Sequence, residues 1–198
     1  MHRVVLGWVV VSGCTYTLTS PDDSDTTPVI WSPPTANSWE QTPPPDGLVG
    51  NGFEVGDVAP DVRLADQYED TVSLWQFYGK VIVLDISTSW CAPCQALAET
   101  CEETYLEYEP EGFMYVTVLQ ADLEFGDPDT DDLLLWAGEF GISTPVLDDG
   151  TDPQQTVDAI VPANTWPAVL VIDREMRVHE RVDPPEDAGL RAAIESVL

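Results

Sequence analysis

The sequence has very few basic side chains. Seven lysine and arginine residues stand against 36 aspartate and glutamate residues, and Lys80 is the only lysine. The formal net charge of −29 argues against nucleic-acid binding and against electrostatic docking on an anionic lipid surface. Because the acidic residues are spread along the chain, we interpret them as a solvated exterior. A preference for basic partner proteins is the alternative interpretation.

Long hydrophobic runs are absent as well. A helix that spans a bilayer needs about 20 apolar residues, and the apolar stretch near the N-terminus, Val4–Val11, has eight. It follows a positive start, Met1–Arg3, and leads into Val11–Cys14, which looks like a bacterial lipobox. We predict a cleaved lipoprotein-type signal peptide over residues 1–13, with Cys14 acylated and anchored to the membrane; an ordinary cleaved signal is the alternative. Under both interpretations the protein is extracytoplasmic, in the bacterial periplasm or at the cell surface.

Regular hydrophobic periodicity is missing from residues 14–52, which are rich in proline, threonine and aspartate. Such a composition stays extended and solvated, so we predict a linker over residues 14–52 and a folded domain over residues 53–198. Trp31 and Trp39 are unusual in a linker. The sequence leaves open whether they fold back onto the domain.

The domain is organised around the stretch Val81–Cys94. Its first part, Val81–Ile86, is apolar apart from Asp85 and predicts a strand that is buried on both faces. A helix is predicted to begin at the Trp-Cys-Ala-Pro-Cys segment that follows, with Pro93 in its first turn, and to continue through Gln95–Glu109, which contains no glycine or proline. Two thiols at positions i and i+3 across a helix N-terminus can close a small disulfide ring. The first thiol also feels the unpaired N–H groups and the positive end of the helix dipole, which favour its thiolate.

This strand, Trp-Cys-x-x-Cys motif and helix together resemble the thioredoxin fold, specifically the membrane-tethered, TlpA-like branch of the redoxin (AhpC/TSA) superfamily. The resemblance extends over residues 55–198 and includes Val55–Asp61, Gly79-Lys80 and Trp166-Pro167. It implies an α/β, thioredoxin-like fold in which helices flank a central mixed β-sheet. It also implies an N-terminal β extension and an inserted β-α unit.

The remaining elements are predicted from local patterns. β-Branched and aromatic residues favour strands, and uninterrupted apolar spacing favours helices. Strands and helices alternate along the chain, which predicts helices on both faces of the sheet. The predicted elements are short strands within Val58–Leu64 and Thr71–Leu74, a strand at Phe113–Leu119, a helix at Thr130–Phe140, a strand at Thr144–Leu147, a short helix at Pro153–Ile160, a hairpin of Pro167–Ile172 with Arg177–Val182, and a closing helix at Glu186–Leu198.

The resemblance assigns the chemistry to Cys91 and Cys94, which would form a redox-active disulfide. Cys91 would be the exposed nucleophile, and Cys94 would resolve the mixed disulfide from within the helix. Asp85 matches a buried aspartate of thioredoxin and would accept the proton of Cys94, since burial raises the pKa of a carboxyl group. The alternative is that strand alternation turns Asp85 outward at a sheet edge. Cys101 lies on the same helix face as Cys94 and is interpreted as a buried free thiol.

The resemblance also predicts the surface that contacts a substrate. Pro167 matches the family's cis-proline, whose loop faces the cysteine pair and offers backbone to a substrate strand, and we count it among the catalytic residues. Trp166 stands before it, where the family usually has threonine or valine, so it bears on redox potential and partner range. Trp90, Ala92, Pro93 and Trp166 are predicted to bind the substrate.

The implied function is that of an extracytoplasmic thiol–disulfide oxidoreductase. It would exchange with dithiols or disulfides of protein substrates, and reduction is the commonest work of such proteins. By resemblance, its partners would be proteins that mature cytochrome c or copper sites. No cofactor and no nucleic-acid partner is expected, and the chain is expected to be a monomer.

Three other functions fit less of the sequence. A peroxiredoxin needs proline seven residues before its reactive cysteine, where Leu84 stands, although Thr88 matches the threonine of that pattern. A copper-delivery redoxin would use C-x-x-x-C and a distal histidine, whereas His179 is the only histidine after the predicted signal peptide. A non-catalytic adaptor would bind its partner through Trp166 and the acidic surface. The shortage of histidine and cysteine also leaves no ligand set for zinc, so no metal is expected.

Overall fold

The computed structural model describes residues 30–35, 37–149, 161, 165–183 and 185–198. The predicted signal peptide, the predicted acylation site Cys14 and the helix predicted at Pro153–Ile160 lie outside these residues. Within these ranges, no helix combines the length and the apolar character that crossing a bilayer requires.

The described strands and α-helices follow one another in this order: β1 (Arg63–Ala65), β2 (Thr71–Ser73), β3 (Val81–Ser87), α1 (Ala92–Tyr108), β4 (Phe113–Leu119), α2 (Thr130–Phe140), β5 (Val146–Asp148), β6 (Ala168–Ile172), β7 (Val178–Val182) and α3 (Asp187–Glu195). β1 and β2 form an antiparallel hairpin, which is the predicted N-terminal β extension. The other five strands form the central sheet.

The central sheet is mixed, with the strand order β5-β4-β3-β6-β7. β3 lies at its centre, parallel to β4 and antiparallel to β6. All seven residues of β3 are buried, which explains why its sequence is an apolar run rather than an alternation. The structure thus confirms the predicted α/β architecture with its central mixed sheet.

Successive side chains of β3 point to two apolar clusters, one on each face of the sheet. Val81 and Val83 belong to a cluster that includes Cys94 and side chains of α1, α2 and α3. Ile82 and Leu84 belong to a second cluster, to which the β1–β2 hairpin and the N-terminal residues contribute. We call these two sides of the sheet the helix face and the strap face. Among the described residues, α1, α2 and α3 all bury side chains in the cluster of the helix face, whereas the alternation of strands and helices predicted helices on both faces.

The strap is the segment of residues 30–52, of which all but residue 36 are described, and it contains neither a helix nor an extended strand. Trp31 and Trp39 pack against the cluster of the strap face. The indole Nε1 of Trp31 donates a hydrogen bond to Ser73 Oγ at 3.0 Å, and that of Trp39 donates to Asp66 Oδ2 at 2.6 Å. Both tryptophans therefore fold back onto the domain, a point that the sequence left open. The predicted domain boundaries stay a prediction.

Local capping signals set the bounds of the helices. α1 begins at Ala92, which puts Pro93 in its first turn as predicted, and Cys91 Sγ accepts a hydrogen bond from the backbone N–H of Cys94 and so caps that turn. α2 has the predicted bounds: the Asp129 carboxylate caps its start, and Gly141 ends it in the left-handed conformation. The strand β4 and the helix α2 precede the edge strand β5 in the chain, in the order of the predicted β-α insertion.

Candidate active site

Cys91 and Cys94 are joined by a disulfide bond at the N-terminus of α1, with their Cα atoms 5.2 Å apart. Cys91 is the N-cap residue, and its sulfur accepts the hydrogen bond from Cys94 N at 3.3 Å. Ala92 and Pro93, between the two cysteines, are exposed. Cys91 is 5% exposed, whereas Cys94 is 0% exposed. Cys91 therefore keeps a small exposed fraction, whereas Cys94 is fully enclosed.

The position of Cys91 favours its thiolate once the disulfide is reduced. The first turn of α1 presents backbone N–H groups that have no partner within the helix, and the helix dipole adds a partial positive charge there. The first turn of α1 contains no acidic residue, although the chain as a whole is strongly acidic. The local field at this sulfur is thus opposite in sign to the net charge of the protein.

Sheet register brings the loop before β6 to the same end of the sheet as the cysteine pair. The bond between Trp166 and Pro167 is cis, as the family resemblance implies. Ala168, the next residue, pairs with Ile86 at the end of β3. The chain runs from Ile86 directly into the loop that holds Cys91, so Pro167 and the disulfide lie near one another.

Three aromatic side chains form a connected group next to Cys91. The ring of Trp90 contacts that of Trp166 edge to face, with centroids 5.4 Å apart, and that of Phe125 with centroids 5.2 Å apart. Trp166 Nε1 donates a hydrogen bond to Gln120 Oε1 at 2.7 Å, which fixes the ring. The sequence pointed to both tryptophans and missed Phe125, whose one signal was its place as an aromatic residue in an acidic loop.

Asp85 is buried on the helix face of β3, in alternation with Val83, and it is 1% exposed. Ser87 Oγ donates to its Oδ1 at 2.7 Å, and Tyr115 OH donates to its Oδ2 at 3.4 Å. Burial raises the pKa of Asp85 to about 7, although both hydrogen bonds act in the opposite direction. The structure therefore contradicts the alternative in which Asp85 turns outward at a sheet edge. The described hydrogen bonds of its carboxyl group go to Ser87 and Tyr115 rather than to Cys94.

Cys101 is a free, buried cysteine in the same cluster as Cys94. Burial raises the pKa of its thiol well above the usual value, and the negative charge of Asp85 acts in the same direction. Because only a thiolate is strongly nucleophilic, this thiol is an apolar packing group rather than a reactive one.

The fold and the site define a thioredoxin-like protein with a Cys-x-x-Cys disulfide at the start of its first helix. The model of the AhpC/TSA family matches residues 55–181, and the chain belongs to this family. The family identification made from the motif is thereby confirmed.

The chain is similar in sequence to proteins named thiol-disulfide oxidoreductase ResA, from two bacterial species. The ResA of Oceanobacillus iheyensis is 36% identical over 70 residues, which cover 33% of this chain and 36% of that protein. The ResA of Geobacillus thermodenitrificans is 27% identical over 124 residues, which cover 63% of this chain and 66% of that protein. The chain thus spans less than two thirds of the first relative and about two thirds of the second.

Solved structures show the same fold at lower identity. The thioredoxin domain of a thiol-disulfide oxidoreductase from Bacteroides vulgatus has a TM-score of 0.63 and 19% identity, covering 74% of this chain and all of that domain (100%). A thiol:disulfide interchange protein of the thioredoxin family from Chlorobium tepidum has a TM-score of 0.60 and 17% identity, covering 73% of this chain and 97% of that one. These likenesses confirm the thioredoxin-like fold.

Proposed function

We propose that this protein is an extracytoplasmic thiol–disulfide oxidoreductase, with Cys91 as its nucleophile and Cys94 as its resolving cysteine. The observation that carries the proposal is the disulfide at the start of α1, in which Cys91 is the N-cap residue and keeps a small exposed fraction while Cys94 is fully enclosed. Membership of the AhpC/TSA family supports it, and the ResA relatives carry this activity in their names.

Each turnover moves one pair of electrons between two disulfides. In the reductive direction, the Cys91 thiolate attacks one sulfur of a partner's disulfide; a mixed disulfide forms, and the partner's other sulfur leaves as a thiolate and takes up a proton. Cys94 then loses its proton, and its thiolate attacks Cys91 Sγ, so that the partner's second sulfur leaves as a thiol. The partner is now reduced, and the protein carries the Cys91–Cys94 disulfide. A dithiol donor returns the protein to its reduced form by the same exchange.

Asp85 is the proposed acceptor of the Cys94 proton. Its pKa of about 7 supports this role, because a general base works best when its pKa is close to the pH at which it operates. It is also buried on the face of the sheet that α1 covers. The hydrogen bonds from Ser87 and Tyr115 hold the carboxyl group in place in the oxidised form.

The proposed substrate surface combines backbone and apolar side chains. Pro167 contributes the backbone of its loop, beside which a substrate strand would lie. Ala92 and Pro93 are exposed between the cysteines, and Trp90 and Trp166 meet at the adjoining edge. We propose that these five residues together form the surface on which a substrate approaches Cys91.

The proposed partners are protein dithiols or disulfides outside the cytoplasm, of the kind found in proteins that mature cytochrome c or copper sites. Reduction is the proposed direction, and a monomer is the proposed state. A lipoprotein-type signal over residues 1–13 and an acylated Cys14 would hold the domain, residues 53–198, at a membrane through residues 14–52. The small number of basic residues favours such a covalent anchor over electrostatic binding to a membrane.

The proposed activity is tested by insulin reduction, with dithiothreitol as the electron source. The full chain carries Cys14→Ser throughout, so that Cys14 contributes no thiol to the assay. We expect the protein to accelerate insulin reduction above dithiothreitol alone and Cys91→Ser to abolish the acceleration. Cys101→Ser is the matched control, since it removes a buried thiol and should keep the activity. Equal acceleration with and without Cys91 would contradict the proposal.

A further inference from the structure

Large apolar side chains are exposed close to the cysteine pair. Phe125 is 73% exposed, and Leu123 and Leu135 are each 58% exposed. Phe125 contacts Trp90, the residue that directly precedes Cys91. We call Trp90, Leu123, Phe125 and Leu135 the apolar strip. Grouped exposed apolar side chains of this size are typical of a surface that another molecule covers.

The loop that carries Leu123 and Phe125 is braced by hydrogen bonds from its own backbone to the side chain of Asp122. Asp122 Oδ1 accepts hydrogen bonds from the backbone N–H groups of Glu124 and Gly126, both at 2.7 Å. Phe125, between them, has a φ of 67°, which is unusual for a residue other than glycine. The turn thus holds Phe125 outward against Trp90 without burying it, so a partner meets a surface that is already formed.

A small cleft lies along the strip, beside the start of α1. Ser89 lines its inner end, Leu123, Leu135 and Trp136 provide apolar walls, and Asp132 and Glu139 provide carboxylates. Its volume of about 40 Å³ admits part of one side chain rather than a separate small molecule. Apolar walls with carboxylates beside them match the aliphatic stem and cationic head of lysine or arginine.

The negative charge around the strip also favours an occupant with a lysine or arginine side chain. The sequence contains no lysine or arginine between Lys80 and Arg174. The exposed carboxylates of Glu124, Asp127 and Asp131 flank the strip along the chain. A cationic segment would be attracted to this surface and an acidic one repelled, which affects encounter rate and specificity.

We propose that the apolar strip binds an extended segment of a partner protein that carries an apolar side chain and a lysine or arginine close to its reacting cysteine. The apolar side chain packs on Phe125 and Trp90, and the cationic one enters the cleft toward Asp132 and Glu139. This inference rests on the proposed function, because it names the substrate class of the same site. It adopts the alternative interpretation of the acidic composition, a preference for basic partners, for this surface.

The test uses disulfide-bonded peptides that differ only in the residues next to one cysteine. One peptide carries leucine and arginine there, a second leucine and glutamate, and a third serine and arginine. The full chain with Cys14→Ser is assayed at low and at high salt, with dithiothreitol as the electron source that returns it to the dithiol after each turnover and with the rate of dithiothreitol alone subtracted. We expect kcat/KM for the leucine–arginine peptide to exceed that for the leucine–glutamate peptide about tenfold at low salt, and less at high salt, because salt screens exposed charges.

Variants connect the preference to the strip. Glu139→Gln should lower the ratio of kcat/KM between the arginine and glutamate peptides about threefold, as expected for one exposed charge. Phe125→Ser should lower the ratio between the leucine–arginine and serine–arginine peptides. Glu103→Gln makes the same charge change on the exposed side of α1, about three turns from Cys91, and should leave both ratios unchanged. Ratios are compared because a general loss of activity does not alter them.

Two outcomes overturn the inference: equal kcat/KM for the three peptides in the unsubstituted protein, or a preference that Glu139→Gln and Phe125→Ser leave intact. Reduction of a small neutral disulfide, hydroxyethyl disulfide, separates this failure from that of the proposed function. If the protein reduces this compound but shows no peptide preference, only the inference about the strip is wrong. If it reduces neither the compound nor any peptide, the proposed function is wrong as well.

Discussion

The two faces of the central sheet are covered by different kinds of structure. On the helix face, α1, α2 and α3 satisfy their backbone groups internally and bury apolar side chains against β3. On the strap face, the segment of residues 30–52 is irregular, and side chains such as Trp39 make the polar contacts. A helix terminus supplies several unpaired N–H groups that point the same way, whereas the described part of the strap supplies burial and separate hydrogen bonds such as that of Trp39. The cysteine pair accordingly lies on the helix face.

Each face also has a buried carboxyl group, and the two groups accept hydrogen bonds from different kinds of donor. Asp66, which the strap covers, accepts hydrogen bonds from three N–H groups: Trp39 Nε1 and the backbone of Tyr68 and Asp70. Asp85, on the helix face, has two hydroxyl donors and no N–H donor among its described hydrogen bonds. The first arrangement ties the carboxyl group into the fold through three N–H donors. The second leaves a group that can gain or lose a proton.

The largest expected effect comes from removing the strap. A chain that begins at residue 53 should be less stable than one that begins at residue 30 by about 4 kcal/mol or more, because it loses two large aromatic side chains that pack on the strap face. Urea unfolding of the two chains, both with the disulfide intact, measures the difference. Coincident unfolding curves would mean that residues 30–52 are a linker in solution, as their composition alone predicts.

Much of the helix face could be predicted from the sequence because its signals are local. β4 and α2 have the predicted bounds, since a run of β-branched and aromatic residues marks the strand, and Asp129 and Gly141 cap the helix. The disulfide and the cis bond before Pro167 were also expected, because the family resemblance places both on short motifs.

The rest depends on contacts between residues far apart in the chain. Trp31 donates a hydrogen bond to Ser73, 42 residues away. The strap has no hydrophobic periodicity from which this contact could be predicted. Phe125 becomes part of the site only because its loop folds back to Trp90. The hydrogen bond from Tyr115 to Asp85 could not be predicted either, because Tyr115 belongs to the neighbouring strand β4.

The second prediction concerns Asp85→Asn. The pKa of this buried carboxyl group is raised from 3.8 to about 7, so it stays protonated in the folded protein at pH values where it is ionised in the unfolded chain. The folded state of the wild type should therefore lose on the order of 4 kcal/mol as the pH rises from about 4 to about 7. Asparagine does not ionise, so the variant should escape this loss. Urea unfolding of the oxidised protein at about pH 5 and about pH 8 should show about 3 kcal/mol of this loss, because the remainder falls below pH 5.

Glu103→Gln is the control for Asp85→Asn, because it removes an exposed carboxyl group from the same side of the sheet. It should leave the pH dependence of stability unchanged. If wild type and Asp85→Asn lose stability in parallel between the two pH values, the raised pKa is wrong. The carboxyl group would then be no better placed to exchange protons than Asp66.

The third prediction compares two tryptophans of the strap. Trp39→Phe removes a hydrogen bond to a carboxylate and should cost about 2 kcal/mol, whereas Trp31→Phe removes one to the hydroxyl of Ser73 and should cost about 1 kcal/mol. Both changes remove a similar volume of ring, so their difference isolates the charge on Asp66. Equal losses in urea unfolding would show that burial, and not the Asp66 network, sets the contribution of the strap.

The smallest expected effect is that of Phe125→Gly. Phe125 and Met176 both adopt a left-handed φ, of 67° and 65°. Glycine at either position would remove a backbone strain of about 1 kcal/mol. Met176 is fully buried in the cluster of the strap face, so Met176→Gly should still cost about 2 kcal/mol net. Phe125 is exposed apart from its contact with Trp90, so Phe125→Gly should change the free energy of unfolding by less than about 0.5 kcal/mol. Similar losses for the two variants in urea unfolding would make Phe125 a packing residue; the expected contrast leaves its ring free for a partner.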